Sequence, residues 1–507
     1  MSQEEFRMKK RLSGVLMSVT SLPGLQGVGT FGQAAYQFVD FLKETKQTYW
    51  QILPLTTTSY GDSPYQSFSA IAGNTHLIDL DLLSQAGYLD TTIYENINFG
   101  DNPEEVDYAR IYELRRPILE QAVAGFLASE DGPAQLAEFE QAEQSWLADF
   151  AEFMAIKEHF GNRALQEWDD LSIVERQPEA LEKYRQQLAD KITYFKVTQY
   201  FFFQQWKALK TYANEQGIQI IGDMPIYVSA DSVEVWTMPE LFKVSADKKP
   251  IFIAGCPPDE FSDVGQLWGN PIYAWDKHAE TDFAWWVYRI KESFKIYDLL
   301  RIDHFKGFSD YWEIPAGSDT ARPGKWVSGP GVALFDAVKR ELGDLPIIAE
   351  NLGYIDEKAE KLLADTAFPG MKIMEFGLFD TTGQSFDLPH FYTSNTIAYT
   401  GTHDNEVVNG WYDNLSEEQQ NFVDKYLHRS VDEPITQAML RTLYATVSDV
   451  AIACMQDILD KGAESRINMP NTVGGNWQWR MLAEDLTPER KAFLTDITEL
   501  YARTPEK

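Results

Sequence analysis

The chain has 507 residues, and 44 Lys and Arg against 77 Asp and Glu leave a formal net charge of −33. Such an acidic surface repels phosphate backbones and anionic headgroups, which argues against nucleic-acid binding and membrane attachment. A hydrophobic share of 44% supplies a large core and excludes global disorder.

The opening residues mix both charges and lead into LSGVLMSVTSLPG with no apolar secretory region or small-residue cleavage site. No run reaches about 18 apolar residues, so no transmembrane helix is expected. The two cysteines, Cys256 and Cys454, form neither a disulfide framework nor a CxxC motif, and the expected location is cytoplasmic.

In chain order, GVLMSVTSLP reads as a strand, Gln33 to Lys43 as a helix and YWQILPLTTT as the next strand, a βαβ start. Thr30 and Gln33 suggest a capping box, while Ala34, Phe38, Phe41 and Leu42 share the face that covers the sheet. Residues 27–32, GVGTFG, match GxGxxG through Gly27, Gly29 and Gly32. However, Thr20 to Gln26 separate them from the strand, and no ribose-binding carboxylate stands near residue 52. The expectation is a flexible mouth loop rather than a dinucleotide site.

Residues 83–199 are mostly helical in pattern, too long for an ordinary crossover, and read as an inserted helical subdomain. Buried-strand patterns return near 217–228, 297–307, 345–353, 371–378, 396–406 and 448–454. With the first two these make eight apolar strand candidates, the number of a (β/α)8 barrel. The expected fold is therefore α/β, a single (β/α)8 (TIM) barrel domain over 1–507 with helical and irregular insertions at its C-terminal mouth. The stretch 230–295 is expected to be a loop-rich excursion over the active-site cleft.

The histidines include no HExxH pair and no zinc-type His/Cys spacing, so no catalytic metal is expected. Asp259, Glu260 and Asp263 lack the twelve-residue calcium-loop pattern and read as a solvated or substrate-facing loop. More informative acids end the apolar strands: Asp223 in IIGDMP, Asp303 in LLRIDHF, Glu350 in PIIAENLG and Asp404 in YTGTHDNE.

Four acids at one barrel mouth are costly unless their protonation is specialised. Retaining glycoside chemistry needs such specialisation, with one carboxylate attacking the anomeric carbon and another protonating the leaving oxygen. Asp303 and Glu350 are the expected pair. Arg301, two residues earlier on the same strand face, is expected to hold Asp303 ionised. Crowding by Asp303 and Asp404 is expected to keep Glu350 protonated. Asp404 and His403 are placed to hold sugar hydroxyls, and Asp223 supports the site or the strand end. The loop aromatics Tyr60, Tyr65, Trp268, Tyr273 and Trp326 can stack on sugars or anchor loops.

These motifs resemble those of the 4-α-glucanotransferase (amylomaltase, disproportionating enzyme) family within the α-amylase-like superfamily. The resemblance runs along the chain through SLPG, YGDSPYQSFSAIAGN, GDMPIYV, GQLWGNPIYAWD, RIDHFKGF, AENLG, GTHDN and NMPNTVGGNWQWR. It implies Asp303 as nucleophile, Glu350 as acid/base and Asp404 as transition-state stabiliser. It also implies glucan contacts by Tyr60, Asp223, Trp268, Arg301, His304, His403 and Asn471. The implied partners are α-1,4-glucans, maltooligosaccharides and glucose, with no cofactor. A retaining α-glucan hydrolase and a non-enzymatic α-glucan-binding protein remain the alternatives.

Overall fold

The computed structural model describes residues 11–258, 262–353 and 356–505, apart from the side chain of Tyr60. Twelve strands run in chain order: β1 (Leu12–Leu16), β2 (Tyr49–Gln51), β3 (Gln219–Met224), β4 (Phe252–Cys256), β5 (Gln266–Pro271) and β6 (Leu299–Ile302). Then come β7 (Asp310–Pro315), β8 (Lys325–Ser328), β9 (Ile347–Ala349), β10 (Gly370–Ile373), β11 (Thr396–Tyr399) and β12 (Val450–Cys454). Eight of them close a barrel in the order β1-β12-β11-β10-β9-β6-β3-β2, and each neighbouring pair is parallel. Each arises from one of the eight apolar runs of the sequence.

The barrel is filled, not hollow. Leu12, Leu16, Tyr49, Ile221, Ile348, Ile397, Tyr399 and Ile452 form its inner core, and the Tyr399 hydroxyl donates to Gln51 Oε1 at 2.8 Å. A second apolar layer joins the outer strand faces to the helices. The first helix, Gln33–Glu44, buries Ala35, Phe38, Val39, Phe41 and Leu42, with Phe38 5.0 Å from Trp50.

No capping box starts that helix: Gly32 is the N-cap, and the Thr30 hydroxyl instead donates to Asp79 at 2.6 Å. Asp79 caps another helix, Leu80–Gln85, which is why Thr30 turns towards it. The glycine-rich loop is also buried rather than flexible. A Cβ on Gly29 would lie 1.9 Å from the Val19 carbonyl oxygen, while the Gly29 amide donates to Thr20 O at 2.9 Å. Glycine is needed there for close backbone approach.

The helical run continues through Gln199 in one 27-residue helix, Ala189–Glu215, that leads to β3. A boundary at residue 199 therefore falls inside a helix. This helix pins the β2–β3 connection: Gln199 bonds both backbone groups of Gly73, at 2.7 and 2.9 Å, and Gln205 does the same to Asp79, at 2.7 and 3.0 Å.

The 230–295 stretch is more ordered than an irregular excursion. Its β4 and β5 join β7 and β8 in a four-stranded sheet of order β5-β4-β7-β8, and its last helix, Ala284–Ile296, leads into barrel strand β6. The 371–378 run also divides: β10 stops at Ile373 and Met374–Phe379 is helical.

Candidate active site

At the C-terminal mouth of the barrel, Asp223 on β3 and Arg301 on β6 stand side by side in the parallel register. Arg301 Nη1 is 2.7 Å from both Asp223 carboxylate oxygens, and Nη2 is 3.0 Å from Asp303 Oδ1. The Tyr65 hydroxyl donates to Asp223 Oδ2 at 2.8 Å and lies 2.8 Å from His403 Nε2. His403 Nε2 is in turn 3.2 Å from Asp404 Oδ2. A continuous polar chain thus runs from Asp303 through Arg301, Asp223, Tyr65 and His403 to Asp404.

Above this layer a cleft of about 710 Å³ is lined by Asp303, Glu350 and Asp404, together with Trp268, His304, Asn468 and Asn471. The strand ends explain the convergence, since the acids follow β6, β9 and β11, which point to one face. His304 adopts a left-handed conformation, φ 48°. Its amide donates to Glu350 Oε2 at 2.7 Å, and the Leu352 amide donates to Oε1 at 2.7 Å.

The electrostatics refine the expected division of labour. Burial, outweighing Arg301 and aided by Asp223, Glu350 and Asp404, pushes Asp303 up to about 7. Arg301 therefore does not by itself hold Asp303 in the ordinary carboxylate range, because its charge is shared with Asp223 and burial opposes the anion. Burial likewise raises Glu350, against Arg301 and its two amide donors, and Asp404 adds to the rise. Because the two acids interact, protons leave them as a pair. For Asp404 burial also opposes ionisation, yet His403, Asn468 and Arg301 prevail and hold it below the usual carboxylate range. Burial and Lys306 lower His304 to about 4, so its ring is neutral at pH 7.

The two acids differ in their immediate contacts. Asp303 has the guanidinium of Arg301 at 3.0 Å, whereas Glu350 accepts two backbone amides; both kinds of contact favour the ionised form, and burial opposes it at both acids. The arrangement can support attack by one carboxylate and proton transfer by the other.

Of the expected glucan contacts, Trp268, His304 and Asn471 line the cleft. Asp223, Arg301 and His403 lie beneath it, 2%, 2% and 4% exposed, with their polar groups turned towards one another. The Tyr60 side chain lies outside the described residues, as do Asp259 and Glu260. Among the loop aromatics, Tyr65 joins the site, whereas Tyr273 is buried and donates to Ile226 O at 2.8 Å. Trp326 packs against Trp312 at 5.2 Å on the four-stranded sheet.

Sequence reasoning did not single out Asn468, whose Nδ2 donates to Asp404 Oδ1 at 2.6 Å. Its signal was its place at the head of NMPNTVGGNWQWR. Gln266, Leu267 and Trp268 of β5 also line the cleft, so the four-stranded sheet reaches it. Among the described residues, no group of three or more His, Cys, Asp or Glu is placed to hold a metal ion, and no helix is long and apolar enough to cross a membrane.

Comparison with known proteins agrees with this geometry. A family model described as 4-alpha-glucanotransferase matches residues 17–485. A 4-alpha-glucanotransferase of Streptococcus pneumoniae is 55% identical, covering 98% of this chain and 99% of its own length. That of Thermus thermophilus is 41% identical over 97% and 99%. The structure of an amylomaltase from Streptococcus agalactiae in complex with acarbose superposes with a TM-score of 0.97 at 66% identity, covering 98% of this chain and 100% of that one.

Proposed function

The chain belongs to the 4-α-glucanotransferase family and is a 4-α-glucanotransferase; from that premise we propose that it works by a retaining, covalent route through Asp303 and Glu350. The observation that carries this reading is the convergence of Asp303, Glu350 and Asp404 from three strand ends on one cleft, with Asp303 and Glu350 close enough to interact in holding a proton.

In the first half-reaction, the reactive form of the acid pair has its proton on Glu350, which gives it to the glycosidic oxygen as an Asp303 oxygen attacks the anomeric carbon. The C1–O bond breaks, the released glucan keeps a free 4-hydroxyl, and the donor segment stays bound to Asp303 as an ester. In the second, Glu350 takes the proton of an acceptor 4-hydroxyl, whose oxygen displaces Asp303 and restores the α-linkage. Positive charge develops at the anomeric centre between them, and ionised Asp404 stabilises it.

Donors and acceptors in this reading are α-1,4-glucans, maltooligosaccharides and glucose. The similar amylomaltase from Streptococcus agalactiae was solved in complex with acarbose, which supports a saccharide ligand for this chain. We assign Trp268, His304 and Asn471 to direct glucan contact, and Asp223, Arg301 and His403 to support of the acids. A cytoplasmic location belongs to the same proposal, and Cys454, a buried thiol donating to Gly401 O at 3.1 Å, suits a reducing compartment.

Transfer and hydrolysis share the covalent intermediate and differ in whether a sugar or water arrives next. Incubation with maltotriose, with products resolved over time and reducing ends counted, separates them. Longer maltodextrins and glucose at a constant reducing-end count support transfer. A steady rise in reducing ends, with no product longer than the donor, overturns the proposed course in favour of hydrolysis. Saccharide binding without turnover points to a binding protein.

A further inference from the structure

Asp404 is the acid least enclosed by the barrel: 42% of its side chain is exposed, and it stands on the loop after β11. A residue so placed needs an external hold if its carboxylate is to stay within a fraction of an ångström of a reacting centre. Asn468 supplies one contact, from a loop that itself forms a wall of the cleft through residues 468–473.

Arg466 ties these two loops together. Its Nη2 donates to the Asp404 carbonyl at 3.1 Å, and its Nε donates to the Asn468 carbonyl at 2.8 Å. Its Nη1 is 3.1 Å from Glu406 Oε2. One planar guanidinium thus fixes the main chain at both ends of the Asn468–Asp404 side-chain hydrogen bond, with Glu406 fixing its plane. Lysine has no such fork, because its ammonium is a single centre.

The surroundings argue that this cation is built in. Glu406, 19% exposed, turns its other oxygen to the Val407 amide at 3.1 Å. Burial, with Asp457 and Glu406, raises nearby Glu375 well above the usual carboxylate range, and Arg466 opposes that rise. The guanidinium therefore sits where several acids meet under the Asp404 loop.

We propose that Arg466 is a positioning residue for transfer, locking the cleft loop 468–473 to Asp404 so that Asn468 and Asp404 act as one unit. Arg466 does not line the cleft itself, so its effect passes through Asn468 and the Asp404 main chain. This rests on Asp404 being the stabiliser of the reaction.

The test is a double-mutant cycle on the full chain, with glucose release from maltotriose followed as initial rates across donor concentration. Arg466→Met and Asn468→Ala are each expected to lower kcat by about 10- to 100-fold, the loss associated with a misplacement of about 1 Å, with KM changing less. Arg466→Lys, which keeps the charge and loses the fork, is expected to fall between wild type and Arg466→Met. The double variant is expected to lose less than the product of the two single losses, as for residues acting in one unit.

Multiplying losses, an unchanged kcat, or a change confined to KM or to thermal stability overturns the proposal. Should Arg466→Met fail to fold, Arg466→Lys with Asn468→Ala completes the same cycle. Asp404→Asn separates the two levels of the argument. If it keeps wild-type kcat, the assignment of Asp404 fails; if it loses activity while the Arg466 variants keep theirs, only the positioning role fails.

Discussion

The Tyr65 hydroxyl donates to Asp223 at 2.8 Å, and that single bond connects the two halves of the polar chain under the cleft. On one side Asp223 holds Arg301 against Asp303; on the other the same hydroxyl meets His403, which faces Asp404. Tyr65→Phe keeps the ring and removes only the link. Its expected effect is a fall of at least about tenfold in kcat for maltotriose disproportionation, since the hydroxyl's contacts with both Asp223 and His403 are lost, a cost of about 1.5 kcal/mol or more. Initial rates at saturating donor measure it, and a kcat within twofold of wild type would remove the chain from the account of catalysis.

Asp303 must be ionised to attack, and burial lifts it to about 7. The rate kcat/KM, which reports the free enzyme, is therefore expected to fall about tenfold per pH unit below an acidic limb near neutrality. Asp223→Asn deletes a negative neighbour and releases Arg301 to Asp303, so both changes lower the Asp303 value and move the limb to more acidic pH. Arg301→Met moves it the other way. Profiles of kcat/KM from pH 4 to 9 for the three proteins check the signs; a limb that stays fixed would mean another group controls it.

Much of this architecture was written in the sequence, and the residues tell why. Parallel barrel strands are buried on both faces, so GVLMSV, IQIIGDM and VAIAC appear as near-continuous apolar runs followed by polar strand ends. The acids were legible for the same reason, since each stands where such a run stops. The four-stranded sheet was not: β5 and β8 are partly exposed and not strongly apolar, and β5 carries Gly269 and Pro271, which read as loop rather than strand. The helix after β10 was hidden because MKIMEFGL is apolar throughout, and such a run does not distinguish a buried strand from a buried helical turn. Arg466 and Asn468 lie on an aperiodic loop, and their relation to Asp404 exists only once the chain has closed over the mouth.

Gly222 precedes Asp223 on β3, and a Cβ there would lie 2.1 Å from the ring of Tyr297. That ring is buried and its hydroxyl accepts the Leu55 amide at 3.3 Å, so it has little freedom to retreat. Gly222→Ala is therefore expected to destabilise the chain by about 1–3 kcal/mol through overpacking. Because the displaced backbone carries Asp223, kcat should fall as well. Chemical denaturation measures the first effect, and unchanged stability would show that the barrel wall yields there at no cost.

The elevated proton affinity of Asp303 also sets function against stability. An unfolded aspartate loses its proton near pH 3.9, whereas Asp303 in the folded chain, lifted to about 7, keeps it. Between these values the native state binds the extra proton, so the contribution of Asp303 to stability falls as pH rises through that window and stays low above it. Arg301 does not reverse this sign, since the rise remains after its attraction has acted, and it keeps Asp223 when Asp303 is replaced. Asp303→Asn, neutral at every pH, should abolish transfer while melting above wild type at pH 8, with the difference closing towards pH 4. Thermal denaturation of both proteins at the two pH values decides it. A variant that melts at or below wild type at pH 8 would mean that the Arg301 contact outweighs the burial of the charge.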